Sequence, residues 1–319
     1  MSRKAAYVTL LTKDSYLPGT LTLEQSLKSV QSRYPLVVLV TPTLPPHTRD
    51  ALTRCRIQFR EIQPLQPESG HVISAYDERF ADTWTKLRVF ELVEYDRIVL
   101  LDSDMIVMRN MDELMELDLA SDWIAAAHAC ACNPRKLAHY PEDWWVLQTS
   151  TSYRIPANCA YTPLRHPTGH SQPMSIEPSS PRPYALLNSG LVILTPSATL
   201  AQSIVDFLRT SPLVPTFSFP DQDFLAAFFR GKWKPLPWVY NALKPGRVIH
   251  SELWRDEEVR CLHYILPDKP WKARVRKGDV VDNLKEMDVW WWERFDVLVG
   301  GLEDDPETRE LLLANVATN

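Results

Sequence analysis

Residues 97–107 of the chain read Arg97-Ile98-Val99-Leu100-Leu101-Asp102-Ser103-Asp104-Met105-Ile106-Val107. The apolar run 98–101, with its β-branched members, predicts a strand buried on both faces, as at the centre of a parallel sheet. Side chains alternate along a strand, so Asp102 and Asp104 share a side if the extended geometry persists. Two carboxylates at the end of a buried strand repel each other unless they share a proton or a bound cation. A cation that also binds a diphosphate would make this strand end a nucleotide-sugar site; the alternative is a solvated Asp-Ser-Asp turn.

The composition indicates a globular protein without a nucleic-acid function. The chain has 319 residues, 45% of them hydrophobic, and a formal net charge of −5, which argues against nucleic-acid binding. No stretch approaches the roughly 20 apolar residues of a membrane span, and no apolar core follows the first charged residues, so we expect a soluble, cytosolic (cytoplasmic) protein. The composition gives no oligomeric state.

The five cysteines indicate reduced intracellular thiols rather than a disulfide framework. Two of them lie close together in Cys130-Ala131-Cys132. This pair lacks the Cys-x-x-Cys spacing and a matching second pair, so packing is the preferred interpretation and a zinc site the alternative.

The first hundred residues alternate between the two periodicities of secondary structure. Strands are predicted at 5–11, 36–40 and 57–62, and helices at 19–32 and 46–54. Strands separated by helices indicate βαβ units and a parallel sheet, which binds ligands at the carboxyl ends of its strands. Thr12-Lys13-Asp14 and the two acids after residue 101 follow two such ends.

The helix predicted at 83–95, just before the central strand, carries Lys86 in its first turn. A cation there opposes the helix dipole and makes sense if it faces an anion; the alternative is a solvated lysine. From 133 to 183 the periodicity fails in a proline-rich stretch, which predicts a lid or binding loop, with a disordered segment as the alternative.

The second half of the chain predicts further strands and helices. Asn188-Ser189-Gly190 interrupts a strand at 186–195, which indicates a bulge or a close ligand approach. Helices are predicted at 198–209 and from Pro220 onward, and a last strand at 259–265. The aromatic segment 290–295 is interpreted as a helix packing on the domain.

Several motifs in order resemble the retaining glycosyltransferases of family 8. They are Thr85-Lys86-Leu87, Asp102-Ser103-Asp104, Asn188-Ser189-Gly190, Asp221-Gln222, Tyr240-Asn241, His263 and Lys269-Pro270-Trp271. The family includes glycogenin and plant galactinol synthase, and the resemblance is strongest to the galactinol synthases. It implies a single α/β domain of GT-A type, with a Rossmann-like, mostly parallel central sheet and the DxD motif at a strand end.

The resemblance also implies a UDP-sugar donor, Mn²⁺ and a set of site residues. The metal ligands would be Asp102, Asp104 and His263. Donor contacts would come from Leu10, Thr12, Lys13, Tyr16, Lys86, Asp102, Ser103, Asn188 and Ser189. The catalytic group would be Asp221, Gln222 and Lys269, with Lys269 on the departing diphosphate. Leu266 stands where the family often has glycine, a departure that bears on the phosphate geometry.

The domain boundaries and the acceptor are expectations of the same kind. The transferase domain would span 1–275, with the irregular insertion at 133–183, and 276–319 would be a helical extension packed on it. The expected reaction transfers galactose or glucose to a small hydroxylated acceptor such as myo-inositol. The alternatives are a glycogenin-like self-glucosylating protein and a non-catalytic sugar-nucleotide-binding protein. A haloacid-dehalogenase phosphatase is a further alternative, although in that class the DxD strand lies near the domain start.

Overall fold

The computed structural model describes residues 3–67, 82–133, 140–141, 144, 158–279 and 282–318. Much of the predicted insertion at 133–183 therefore lies outside the described residues. Within these ranges the helices are α1 (Leu17–Ser29), α2 (Pro46–Arg54), α3 (Ala198–Thr210), α4 (Pro220–Phe228), α5 (Gly246–Ile249), α6 (Asn283–Gly300) and α7 (Pro306–Ala314). The strands are β1 (Ala5–Leu11), β2 (Leu36–Val40), β3 (Gln58–Glu61), β4 (Arg97–Leu101), β5 (Met105–Val107), β6 (Ile124–His128), β7 (Leu187–Leu194), β8 (Trp233–Leu236), β9 (Ala242–Leu243) and β10 (Cys261–His263).

A central sheet organises the described part of the chain. Its seven strands there have the order β3-β2-β1-β4-β7-β6-β8, so β4 is in the middle as predicted. The strands β3, β2, β1 and β4 are mutually parallel, β7 is antiparallel to both of its neighbours, and β8 is parallel to β6. The expected mostly parallel α/β sheet is confirmed.

Side chains from alternate positions of the strands enter two cores, one on each face of the sheet. Tyr7 of β1 and Val99 of β4 pack with α1, α2, α6 and α7 on one face. Val8 and Leu100 pack on the other face with α3, α4 and the segment before β4. This alternation follows from the period of two in a strand and gives a three-layer domain.

The segment before β4 differs from the predicted helix. It is a 3₁₀ helix at Thr83–Glu91, rather than a helix to residue 95. With three residues per turn, positions i and i+3 are aligned. Thr83 and Lys86 therefore lie on one face, and both line the same cleft.

A small second sheet lies beside the carboxyl end of β4. Among the described residues it contains three strands in the order β5-β10-β9. The predicted last strand at 259–265 is thus shorter, at Cys261–His263, and belongs to this small sheet rather than to the central one. The pairing of β10 with β5 is antiparallel and sets His263 opposite Met105.

The C-terminal helices pack on the first layer of helices, as the aromatic segment predicted. Trp291, Trp292 and Phe295 of α6 are buried, and α6 contacts α1. The separation of 276–319 from the transferase domain stays a prediction. In the described part of the chain, no helix has the length and apolar character needed to cross a membrane.

Candidate active site

The Asp-Ser-Asp segment is a buried turn between β4 and β5. The backbone N–H of Asp102 donates to the carbonyl oxygen of Gly190 at 2.9 Å. The backbone N–H of Tyr264 donates to the carbonyl oxygen of Asp104 at 3.0 Å. Asp104 is only 7% exposed. The extended geometry therefore does not persist through these residues. The alternative of a solvated turn is also wrong, because neighbouring strands hold and cover the turn.

The turn and β10 bring Asp102, Asp104 and His263 together. Their potential ligand atoms all lie within 4.8 Å of one another. Nε2 of His263 is 3.3 Å from Oδ1 of Asp104 and 3.7 Å from Oδ2 of Asp102. Two carboxylates and one imidazole around a common point form a donor set suited to Mn²⁺.

A chain of two hydrogen-bonded side-chain amides, Asn241 and Asn188 (the amide chain), fixes the orientation of the His263 ring. Nδ1 of His263 is 2.9 Å from Oδ1 of Asn241, while Nδ2 of Asn241 donates to Oδ1 of Asn188 at 2.7 Å. Because Oδ1 of Asn241 can only accept, Nδ1 carries a proton and Nε2 is the ring nitrogen turned towards the two carboxylates. The two carboxylates and Nε2 thus converge on a position that a cation can occupy.

Glycine is required where β7 passes this imidazole. A Cβ added at Gly190 would overlap Cε1 of His263. The triplet Asn188-Ser189-Gly190 therefore interrupts the apolar pattern for two reasons: Asn188 belongs to the amide chain, and Gly190 admits the ring. The pairing of β7 with β6 shifts register across this triplet, so the bulge predicted there is confirmed. The ring of His263 makes the close approach at Gly190.

Lys86 and the buried Lys269 neutralise the carboxylates of the turn. Lys86 lies 2.7 Å from Oδ1 of Asp102 and donates to Oδ2 of Asp221 at 3.0 Å. Lys269 donates to Oδ2 of Asp104 and, at 2.7 Å, to the carbonyl oxygen of Tyr264. The prediction that Lys86 faces an anion is confirmed.

The pKa directions follow from these contacts. Burial alone would lower the pKa of Lys86, but Asp102 and Asp221 hold it above its usual range. Burial would raise the pKa of Asp104, yet Lys269 and His263 hold it well below its usual range. Burial raises the pKa of Asp102, against the opposing effect of Lys86. Ionisable groups with pKa values shifted in this way are typical of functional sites.

All the site residues predicted from the sequence line one cleft of about 620 Å³ at the carboxyl ends of β1 and β4. The structure brings together Leu10, Thr12, Lys13, Tyr16, Lys86, Asp102, Ser103, Asp104, Asn188, Ser189, Asp221, Gln222, His263 and Lys269. Leu266 lines it too. Within the cleft, Oε1 of Gln222 accepts a hydrogen bond from Asn188 at 3.2 Å. The metal-binding, donor-binding and catalytic roles of the site residues stay predictions.

Three aromatic side chains in the cleft wall were missed from the sequence. The rings of Trp144 and Phe219 are stacked with centroids 5.3 Å apart, and Tyr140 contacts both edge-on. All three line the cleft. Tyr140 and Trp144 come from the irregular insertion, where periodicity carries no signal. Trp144 is only 3% exposed, so the half-buried rings of Tyr140 and Phe219 supply the accessible aromatic surface of this wall. An apolar surface of this kind suits the C–H face of a sugar or polyol ring.

A second convergence of ligating side chains was also missed. Cys130 and Cys132 meet Cys159 and His250, with all four ligand atoms within 4.8 Å of one another. Simple packing of the Cys-x-Cys pair is therefore an incomplete interpretation. The two further residues lie far apart in the sequence, so spacing could not reveal them.

Comparisons of the whole sequence point to one family. The sequence model of glycosyl transferase family 8 matches residues 7–274. Galactinol synthase 4 of Arabidopsis thaliana is 30% identical over 298 residues, which cover 92% of this chain and 81% of that protein. Galactinol synthase 1 of Ajuga reptans is 29% identical over 299 residues, covering 93% and 82%. Because the model of a glycosyltransferase family matches most of the chain, the haloacid-dehalogenase phosphatase alternative is wrong.

Solved structures share the fold at low sequence identity. The galactosyltransferase LgtC, in complex with donor and acceptor sugar analogs, superposes with a TM-score of 0.57 at 16% identity, covering 93% of this chain and 96% of that one. The bifunctional glycosyltransferase WbbM gives 0.59 at 15% identity, covering 98% and 51%. The fold is therefore that of the GT-A glycosyltransferases.

Proposed function

Because the chain belongs to glycosyl transferase family 8, we propose that this glycosyltransferase moves galactose or glucose from a UDP-sugar to a hydroxyl group of a small polyol such as myo-inositol. The observation that carries the proposal is the cleft itself. It joins the Asp102, Asp104 and His263 cluster to two lysines and an aromatic wall. The relatives at 29–30% identity that are named galactinol synthases favour the polyol acceptor.

The metal proposed for the site is Mn²⁺, held by Asp102, Asp104 and His263. The donor set of two carboxylate oxygens and one imidazole supports this choice over Mg²⁺. When bound, the metal supplies Lewis-acid stabilisation of the negative charge on the leaving diphosphate. The orientation of His263 by Asn241 prepares its Nε2 as a ligand.

The two lysines have complementary proposed roles towards the donor. Lys86 contacts Asp102 and Lys269 contacts Asp104, so both ammonium groups lie beside the proposed metal ligands. Lys269 stabilises the departing UDP, and a cation there counts most in the transition state, where the charge is largest. Lys86 contacts the donor phosphate or sugar while it also holds the Asp221 carboxylate in place.

Retention of configuration needs either a covalent intermediate or attack from the face of departure. Gln222 is an amide and a poor nucleophile, and the Asp221 carboxylate is held by Lys86 at 3.0 Å. These contacts favour front-face attack. In that route a donor phosphate oxygen takes the proton of the acceptor hydroxyl as its oxygen bonds to the anomeric carbon and UDP leaves.

The aromatic group Tyr140, Trp144 and Phe219 is the proposed platform for the acceptor ring. It lies in the same cleft as the donor residues, and its rings exclude water from one wall. Excluding water favours transfer over hydrolysis. The cytosolic location expected from the sequence stays part of this proposal.

A thermal-shift panel tests the donor and the metal. UDP-galactose, UDP-glucose and UDP are each added with and without Mn²⁺. A ligand at about 100 times its Kd adds roughly 2.7 kcal/mol of stability, which is readily measured. We expect a UDP-sugar to stabilise the protein only when Mn²⁺ is present. Equal stabilisation with and without metal would contradict the metal assignment.

Mass spectrometry tests the acceptor. The protein is incubated with each UDP-sugar, Mn²⁺ and myo-inositol, and both the intact protein and the small molecules are weighed. A hexosyl-inositol product is expected. Hexose added to the protein without such a product would place the chain with the self-glucosylating enzymes, and binding without any turnover would favour the non-catalytic alternative.

A further inference from the structure

Three sulfur atoms and one imidazole nitrogen converge behind the wall of the cleft. Nε2 of His250 is 3.4 Å from Sγ of Cys130, 3.5 Å from Sγ of Cys132 and 3.7 Å from Sγ of Cys159. All four atoms lie within 4.8 Å of one another. Cys132, Cys159 and His250 are buried, with exposed fractions of 6%, 0% and 6%.

The four residues come from three distant parts of the chain. Cys130 and Cys132 follow β6 and are separated by one residue, so in an extended segment they point to the same side. Cys159 lies within the irregular insertion at 133–183. His250 follows the last residue of α5, and its backbone N–H donates to the carbonyl oxygen of Gly246 at 2.8 Å. Folding thus assembles the group from segments that share no sequence motif.

Hydrogen bonding among neutral side chains explains this arrangement poorly. A neutral imidazole nitrogen accepts one hydrogen bond, and each thiol is only a weak donor. At most one of the three contacts to Nε2 is then satisfied, although the group is buried. A disulfide would join two sulfurs and leave the third beside the imidazole; all five cysteines are free in this structure.

A tetrahedral zinc ion explains the distances. With Zn–S near 2.3 Å and Zn–N near 2.05 Å, the S···N edge of a tetrahedron is about 3.6 Å. The three measured edges of 3.4, 3.5 and 3.7 Å lie around this value. Three thiolates and one imidazole are also a soft, closed set that selects zinc over manganese or magnesium.

We propose that Cys130, Cys132, Cys159 and His250 bind one structural zinc ion, separate from the carboxylate site. The ion ties the segment after β6, the middle of the insertion and the end of the helix α5 into one unit. Cys130 also lines the cleft. Zinc therefore fixes the wall next to the acceptor platform, while the reacting groups belong to the other metal site.

Metal analysis of the full-length protein tests the proposal. The protein is produced with zinc, purified under reducing conditions and analysed by plasma mass spectrometry. We expect about one zinc per chain in the wild type, a closed four-ligand site being stoichiometric. Cys132→Ser should lose the zinc, whereas Cys55→Ser, which changes a cysteine outside the group, should keep it. Asp104→Asn should keep it too, which separates this site from the carboxylate cluster.

Cobalt exchange keeps the test decisive if Cys132→Ser does not fold. Wild-type protein in which cobalt replaces zinc should show thiolate-to-cobalt charge-transfer absorption and the intense visible bands of tetrahedral cobalt. Zinc loss in Asp104→Asn rather than in Cys132→Ser would overturn the proposal. So would wild-type protein with neither zinc nor the thiolate absorption, or a disulfide among these cysteines in freshly purified protein.

Discussion

Asp104 illustrates how single residues balance binding against stability. Its carboxylate is a proposed metal ligand, yet without metal it is also the partner of the ammonium group of Lys269. Their side chains are 10% and 5% exposed. In a buried pair, removing one partner leaves the other charge uncompensated, which costs far more than an exposed pair contributes.

The substitution Asp104→Asn separates these two effects. We expect metal-dependent transfer to be abolished, because a neutral amide replaces a charged ligand. We also expect the free energy of unfolding of the metal-free protein to fall by on the order of 3 kcal/mol, because Lys269 loses its partner. From the sequence alone, relief of the repulsion between Asp102 and Asp104 would predict a gain. Denaturant unfolding with a chelator present measures the sign.

Asp288→Asn is the matched control for this change. It breaks the contact of 2.5 Å with Lys244; both side chains are 13% exposed, and neither residue lines the cleft. The control should lose stability and keep its turnover per folded molecule. Near-full activity of Asp104→Asn with Mn²⁺ would show that the metal ligands are assigned wrongly.

The residues that could be predicted from sequence share a local signal. The acids follow a buried strand, and Lys86 is a cation where a helix start disfavours one. The role of Asn241 in orienting His263 has no such signal, because the contact joins two elements 22 residues apart. The same holds for His250, 91 residues from Cys159. These partners are set by tertiary packing, which no sequence period encodes.

At the scale of elements, α1 supports the turn of the site. A Cβ added at Gly19 in the first turns of α1 would overlap the carbonyl oxygen of Ser103 and approach the Trp271 ring to 2.9 Å. The sequence predicted this helix from residue 19, two residues later than its start at Leu17. Periodicity locates the middle of a helix well, but its ends depend on contacts such as this one.

Gly19→Ala tests that support. Alanine is favoured over glycine inside a helix by about 1 kcal/mol. The overlap with a backbone atom outweighs this gain, so we expect a net loss of 1–3 kcal/mol, about the usual cost of overpacking, together with weaker UDP binding. Thermal unfolding and UDP titration measure both. Gly300→Ala, also at a helical glycine but with open space around it, should be neutral or stabilising; equal effects of the two changes would contradict the proposed contact.

The start of α4 provides a pH dependence. Oδ2 of Asp223 accepts hydrogen bonds from the backbone N–H groups of Ser218 and Phe219 at 2.8 and 2.9 Å. Burial nevertheless raises the pKa of Asp223 to about 6. The folded protein therefore holds a proton that the unfolded chain releases near pH 4. Stability contributed by this group is present at low pH and is lost as the pH rises through about 6.

Asp223→Asn should remove this loss. The variant is expected to match the wild type near pH 4 and to exceed it at pH 7 by on the order of 2 kcal/mol, because its amide never ionises. Denaturant unfolding at several pH values gives the difference, with Asp206→Asn on the exposed face of α3 as the control. A difference that stays constant between pH 4 and 7 would show that Asp223 titrates normally in the folded protein.

At the scale of the whole molecule, a row of aromatic rings connects the C-terminal helices to the cleft. Trp291 of α6 lies 5.6 Å from Trp271, whose ring lies 5.4 Å from that of Tyr16 in the cleft wall. Core packing of the Trp290-Trp291-Trp292 segment was predictable from its composition. The connection of this segment to the donor side of the cleft was not predictable, because it runs through Trp271, which belongs to another segment.

Trp291→Ala should therefore affect both stability and donor binding. Emptying this fully buried position is expected to lower the free energy of unfolding by about 4 kcal/mol. The KM for the UDP-sugar should rise at temperatures where the variant is folded, because Trp271 and Tyr16 lose their backing. Val297→Ala, on the exposed side of the same helix, should change neither quantity. An unchanged KM in folded Trp291→Ala would limit the role of α6 to stability.

The balance of charges in the cleft bears on the order in which ligands arrive. Its described lining residues include Asp82, Asp102, Asp104 and Asp221 against Lys13, Lys86 and Lys269. The formal sum is one negative charge, which a divalent cation reverses. Added salt, which screens charges beyond about 10 Å at 0.1 M, should then speed the association of the dianionic UDP-sugar with metal-free protein and slow it when Mn²⁺ is already bound. Stopped-flow association rates at two ionic strengths measure this sign, and rates indifferent to salt in both states would show that the charges of the cleft do not steer the donor.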